Sequence, residues 1–191
     1  DLPRLAHSLQ LRDAAMGRIE AAIPSLTPAR IRRGLENALE AAARCGLAAL
    51  HDMGLPCPLD LFLAVVRELH AEGRLTARLD LSRPLGEATR RPARADRPQE
   101  IPGWLRIRRG KAFVDGSLGA RTAAFFEPYA DAPETCGLLM DEPAALCARL
   151  ERAARNGWQL SIHAIGDRAN HLLLGLLAPL RRHWGQTPRH W

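Results

Sequence analysis

Lysine is almost absent from this sequence: of 27 Lys and Arg residues, Lys111 alone is lysine. Arginine stays protonated at any usable pH, whereas a desolvated lysine can lose its proton and act as a neutral amine. The chain thus has one position where amine chemistry is available. Aromatic residues are also scarce, at 5% with a single tyrosine. A net charge of +6 and a pI near 10.0 invite a nucleic-acid reading. Nucleic-acid binders concentrate their charge on one face and interleave stacking aromatics, and this chain scatters its arginines over helices and loops. No nucleic-acid partner is expected. The four cysteines, Cys45, Cys57, Cys136 and Cys147, form no C-x-x-C pair and have no matching histidine spacing. That excludes a zinc knuckle and a disulfide framework, and leaves buried thiols of a reducing cytoplasm as the expectation. No apolar run approaches the roughly 20 residues that span a bilayer. The stretch 171–178 is too short and reads as a buried helix, and no secretory signal pattern is recognisable. No membrane partner is expected, and the expected location is the cytoplasm.

What is present is a chain of 191 residues with 47% apolar and 25% charged content, ordinary for one globular domain. The clearest helix is 28–45: Thr27 is suited to the N-cap, Pro28 to the first helical position, and Gly46 to the stop. Its residues Ile31, Leu35, Ala38, Leu39, Ala42 and Cys45 recur at helical spacing. A short buried strand, 47–52, follows, and a second helix spans about 59–72 before Gly73. Residues 75–81 alternate as a strand. The Pro- and Arg-rich segment 82–104 reads as a loop with one short helical turn, and 105–114 reads as a strand. A long loop, 115–141, leads to a helix at about 143–156. The strand 158–164 and a helix from about 168, capped by Asp167 and limited by Pro179, complete the pattern. Strands and helices alternate, with connections long enough for parallel crossovers, which predicts an α/β fold with a parallel sheet. Periodicity leaves an open doubly wound sheet and a (β/α)8 barrel equally open, although no strand is followed by a G-x-G-x-x-G turn.

Two runs carry the chemistry. The first is Lys-Ala-Phe-Val-Asp-Gly-Ser-Leu-Gly-Ala-Arg-Thr-Ala, 111–123, and the second is Ser-Ile-His-Ala-Ile-Gly-Asp-Arg-Ala-Asn, 161–170. Alternate residues of a strand share a face. Lys111, Phe113 and Asp115 therefore share one face, and Gln159, Ser161 and His163 share another, opposite Trp158, Leu160 and Ile162. Lys111 and His163 then point into one cavity from neighbouring strands, near the C-terminal ends where barrel enzymes build their sites. Singly, each residue has a plainer explanation. A histidine at a strand end is commonly a hydrogen-bonded structural residue, and a lysine is commonly a solvated surface charge. Asp167 serves equally as a helix cap, Arg168 as solvated surface, and Gly116 and Gly119 as turn formers. His7, His70, His171 and His183 lie in helical stretches, and His51 and Asp52 end a strand; none of them carries a functional claim.

Together the two runs resemble the amidohydrolase family 3 (YtcJ-like) metal-dependent hydrolases. Members carry a Lys followed by Asp-Gly-Ser-Leu-Gly-(Ser/Ala)-Arg-Thr-Ala, then His-Ala-Ile-Gly-Asp-Arg-Ala on the next strand. The Gly46–Gly54 segment, with His51-Asp52-Met53-Gly54, fits the family's second strand. The resemblance covers essentially the whole chain, departing at Trp191, where the family commonly has Arg. It implies a partial (β/α)8 barrel, one incomplete domain over 1–191, running from roughly the second strand to the start of the sixth, with 115–141 as active-site loop. It implies metal-assisted hydrolysis of C–N bonds in a small amide, N-acyl or N-formyl substrate. It assigns Lys111 and His163 as metal ligands, the Lys carboxylated where two ions bind, and implies a divalent cofactor, zinc, as one or two ions. Asp115 and Arg121 would line the substrate pocket. The family's His-x-His pair, a further His and the proton-shuttling Asp have no counterpart here, so the fragment alone is expected to be inactive. The alternative expectation is a non-catalytic barrel remnant.

Overall fold

The computed structural model describes residues 22–55 and 57–183, omitting the side chains of 97, 98 and 181–183. The expectations for His7 and Trp191 lie outside the described residues, and so does the side chain of His183.

Helix α1 runs Pro28–Arg44. Thr27 Oγ1 accepts from the Arg30 amide at 3.3 Å, Pro28 occupies the first turn, and Gly46 adopts φ +71° to end it. Its buried stripe is Ile31, Leu35, Leu39 and Ala42, as the helical spacing requires. Strand β1 is Ala49–Asp52, helix α2 is Leu59–Ala71, and strand β2 is Arg78–Pro84. Strand β1 starts two residues later than periodicity placed it but ends where expected, and β2 lies three residues further along the chain. Leu47 instead donates its amide to Ala42 O, closing the end of α1.

The segment expected to be mostly loop is more ordered than its prolines suggest. A single turn, α3 at Leu85–Ala88, leads to a 3-10 helix at Ala93–Gln99. Leu85 and Ala88 are fully buried. Arg83 pairs with the fully buried Asp96 and, at 2.6 Å, with Glu87, while Arg91 reaches Asp96 at 2.8 Å. Burial works against the Arg83 charge, but the hydrogen bonds it donates to Asp96 and Glu87 outweigh this and raise its pKa. Further along, the Trp158 indole donates to Arg91 O at 2.8 Å, and the Asn156 amide to Ala88 O and Thr89 O at 3.1 Å. Long-range polar contacts of this kind leave no periodic trace in sequence.

Strand β3, Leu105–Phe113, is followed by an irregular loop to α4, Pro143–Arg155. Strand β4, Gln159–His163, leads to α5, Asp167–Leu177, and a closing 3-10 turn at Ala178–His183 accommodates Pro179. All neighbouring strands pair in parallel, in the order β1-β2-β3-β4. The α/β expectation holds, and the open-sheet alternative gives way to a curled half-barrel. One contact registers the curl. Met53, just after β1, places its Sδ 3.1 Å from Ser161 Oγ on β4. Three strand spacings in a flat sheet would separate them by about 14 Å, so the sheet bends to bring its outer strands toward each other.

One face of the sheet is packed by helices. Leu79, Leu81, Leu105, Ile107, Ala112 and Leu160 are buried there with Leu63, Val66 and Leu69 of α2 and Leu146 and Leu150 of α4. The alternation in β3 breaks once. Leu81 pairs with Ile107, yet Ser82 pairs with Arg109, so Arg108 is an extra, bulged residue whose side chain points to Glu100. Below the bulge odd-numbered residues pack against the helices; above it they line the concave face. Lys111 is on that face because Arg108 is bulged.

Candidate active site

The concave face above the bulge carries Arg109, Lys111 and Phe113 on β3, in register with Gln159, Ser161 and His163 on β4. Its floor is an ion pair, Arg109 to Asp80 on β2 at 2.5 Å, which sequence reading missed because the partners lie 29 positions apart and across the bulge. Lys111 and His163 sit one strand apart and two residues apart in height. Burial lowers the Lys111 pKa from its ordinary 10.5. Its Nζ lies 4.7 Å from the centre of the Phe113 ring, and that ring lies 5.2 Å from the imidazole of His163. Phe113 thus stands between the two candidate ligands.

His163 Nε2 lies 2.8 Å from Gly116 O and 3.6 Å from Asp115 Oδ1. A carbonyl oxygen can only accept, so in the neutral ring Nε2 carries the proton and Nδ1 keeps the lone pair. Gly116 is constrained in turn: a Cβ there would fall 2.0 Å from Thr122 Oγ1.

Asp115 is placed differently from a pocket-lining residue. It is 1% exposed, and its carboxylate accepts the amides of Ala124 at 2.8 Å, Ile165 at 3.0 Å and Gly166 at 2.8 Å. Its oxygens are turned onto backbone, and it joins the loop after β3 to the turn after β4. That turn is close-packed, since a Cβ on Gly166 would lie 1.8 Å from Ala124 O. Asp167 extends the seam. It begins α5, with Gly166 rather than Asp167 in the cap position, and its Oδ1 accepts the Phe126 amide at 2.9 Å. Arg121 is the one non-glycine residue with positive φ, at 55°, among the described residues. Its guanidinium binds Asp131 within the same loop, at 3.0 Å, and that contact lowers the Asp131 pKa. The fold thus brings Lys111, His163 and Asp115 together and holds Arg121 by a separate contact. Gly116 and Gly119 belong to the loop, and Arg168 is exposed on the first turn of α5.

Among the described residues no group of three or more His, Cys, Asp or Glu is placed to hold a metal. The donors fit one in part: an amine biased toward its neutral form, and an imidazole with one nitrogen committed to a carbonyl and the other available. Orientation of a ligand histidine by a hydrogen bond from its second nitrogen is the usual arrangement at metal centres.

The described residues thus form a curled half-barrel of parallel strands with lysine and histidine on adjacent strands of its concave face. The chain belongs to the amidohydrolase family, whose model matches residues 6–190. It is 44% identical over 73 residues to LONG AFTER FAR-RED 3 of Arabidopsis thaliana, a match covering 38% of this chain and 12% of that protein. It is 36% identical over 80 residues to YtcJ of Bacillus subtilis (strain 168), whose name places it among the amidohydrolases; 42% of this chain and 15% of YtcJ are covered. Crystal structures of two uncharacterized metal-dependent hydrolases share the fold. The one from Pyrococcus furiosus has a TM-score of 0.67 at 30% identity, covering 90% of this chain and 36% of that one. The one from Pyrococcus horikoshii OT3 has a TM-score of 0.66 at 26% identity, covering 86% and 33%. The chain therefore spans a small part of its curated relatives and about a third of these two structures. Among the described residues no helix is long and apolar enough to cross a membrane.

Proposed function

We propose that the whole protein containing this chain hydrolyses C–N bonds of small N-acyl or N-formyl amines, with a divalent metal, zinc, held in part by Lys111 and His163. The observation that carries this reading is the placement of the chain's one lysine beside His163 on the concave face, in a chain of the amidohydrolase family. When bound, the metal supplies Lewis-acid polarisation of the scissile carbonyl and lowers the pKa of its water from about 15.7 toward about 7. The residues of this chain prepare that chemistry. A neutral Lys111 amine can add carbon dioxide and release one proton to become a carbamate, whose two oxygens suit hard cations. The Gly116 carbonyl fixes the His163 tautomer with Nδ1 as the donor atom. Asp115 holds the two site loops in register through three amides, so its role in this reading is to position His163 and Gly116. Arg121, steadied by Asp131, contributes to the pocket rim on the substrate side.

The test uses the whole protein. Wild type is expected to retain metal after dialysis and to release amine from simple N-acyl substrates. Lys111→Ala and Lys111→Arg should both lose most metal and turnover, because guanidinium cannot be carboxylated. His163→Asn should fold yet lose metal affinity, by about 10–100-fold. Wild-type metal content and turnover in Lys111→Arg would defeat the assignment. The absence of a three-donor cluster among the described residues favours one second reading, a barrel segment retained for packing alone. It predicts a whole protein that carries no metal at all.

A further inference from the structure

Met53 leaves β1 on the concave face, and its thioether meets two hydroxyls, Ser161 Oγ at 3.1 Å and Ser82 Oγ at 3.9 Å. Ser161 is the register partner of Lys111. The sulfur therefore lies at the level of the lysine, opposite the strand that carries it. On the other side Phe113 contacts both Lys111 and His163. Both apolar groups are exposed on the concave face: Met53 is 40% exposed and Phe113 48%. The polar groups nearby are mostly occupied, since Arg109 is paired with Asp80, His163 with Gly116, and Asp115 with backbone. Lys111 thus has the Phe113 ring against it and a polarizable thioether at its own level. Methionine adapts its shape to varied apolar partners and favours contact with rings.

We infer that Met53 and Phe113 form an apolar subsite that takes an aliphatic or aryl substituent of the substrate next to the reacting bond, with Met53 setting its size. This rests on the hydrolase reading above, whose failure the experiment separates from its own. In the whole protein, kcat/KM is measured over N-acyl amines from acetyl to hexanoyl. Each added methylene should raise it about fourfold in wild type, the increment expected for full burial. Met53→Gln, of nearly equal volume, should flatten that rise, and Met53→Leu should keep it. A residue that merely fills the barrel interior would change melting temperature without changing the chain-length slope. A wild-type slope in Met53→Gln overturns the inference.

Binding is read separately from turnover. Metal-free protein labelled with methyl-13C methionine is titrated with N-butylhexanamide, the Met53 signal being the one lost in Met53→Leu. A saturable shift of that signal supports the subsite even where no hydrolysis is found, in which case the hydrolase reading alone falls. An unmoved Met53 signal at saturating probe overturns the subsite even if the protein proves to be an amidase.

Discussion

Lys111 and Asp115 are four residues apart and meet burial in opposite ways. Among the described residues the lysine has no carboxylate partner to hold its charge, and desolvation pushes its pKa down. Because the folded pKa is below the unfolded one, protonation favours the unfolded chain. The penalty is complete below the folded pKa and is relieved as pH rises toward 10.5. An acylating reagent should accordingly modify Lys111 with a pH midpoint below 10.5, and peptide mass spectrometry can follow it cleanly because no second lysine competes. A midpoint at or above that value would show the amine to be solvated. Asp115 is buried with three amide donors. Asp115→Asn removes the charge and turns one acceptor into a donor facing N–H groups. The expected cost is about 3 kcal/mol in urea unfolding, since hydrogen bonds to charged groups contribute about 1.5–3 kcal/mol each. Loss of less than about 0.5 kcal/mol would mean that the carboxylate does not clamp the loops. The placement of Lys111 and His163 on one face of adjacent strands was legible in sequence through strand alternation. The clamp role of Asp115 was not, because its partners are backbone amides that any residue supplies.

At the scale of elements, the helices were the most legible, through capping residues and apolar spacing, as Thr27, Pro28 and Gly46 illustrate in α1. The segment 82–104 was the least legible, because its order comes from Asp96, Asn156 and Trp158 contacts over long sequence separations. The loop-to-helix seam at α5 makes a sharp prediction. Gly166→Ala would push Cβ against the backbone of Ala124, with 1.8 Å to its oxygen and 2.3 Å to its carbonyl carbon. Backbone cannot rotate away as a side chain can, so the substitution should cost about 3 kcal/mol and disturb the amides that hold Asp115. Gly34 in α1 is a control, with nothing within 4 Å of a built Cβ. Gly34→Ala should stabilise by about 0.5–1 kcal/mol, since glycine in a helix interior costs that much relative to alanine. Equal melting temperatures for the two variants would refute the packing argument.

At the scale of the whole molecule, β1 and β4 each lack a second strand partner among the described residues, and the concave face meets no opposing wall there. Open strand edges and uncovered apolar groups favour association. The 191-residue chain expressed alone should therefore self-associate, as seen by sedimentation, and should keep no stoichiometric metal after dialysis, because a catalytic zinc needs about three protein ligands. Monomeric behaviour with one bound transition metal would contradict both halves of that expectation.

The bulge at Arg108 has a consequence for how such a barrel tolerates changes of length. It works as a phase shifter, dividing β3 into a lower half whose residues answer to folding and an upper half whose residues answer to chemistry. Deleting the exposed residue Arg108 would merely restore plain alternation from Ile107 to Arg109 and leave Lys111 on the concave face. Deleting Gly110 with the bulge kept would instead drive Lys111 into the helix packing and turn Ala112 to the concave face, although every functional residue would still be encoded. A one-residue insertion or deletion above the bulge is thus a larger lesion than most substitutions at the site itself, whereas the bulge can lose its extra residue without inverting that face.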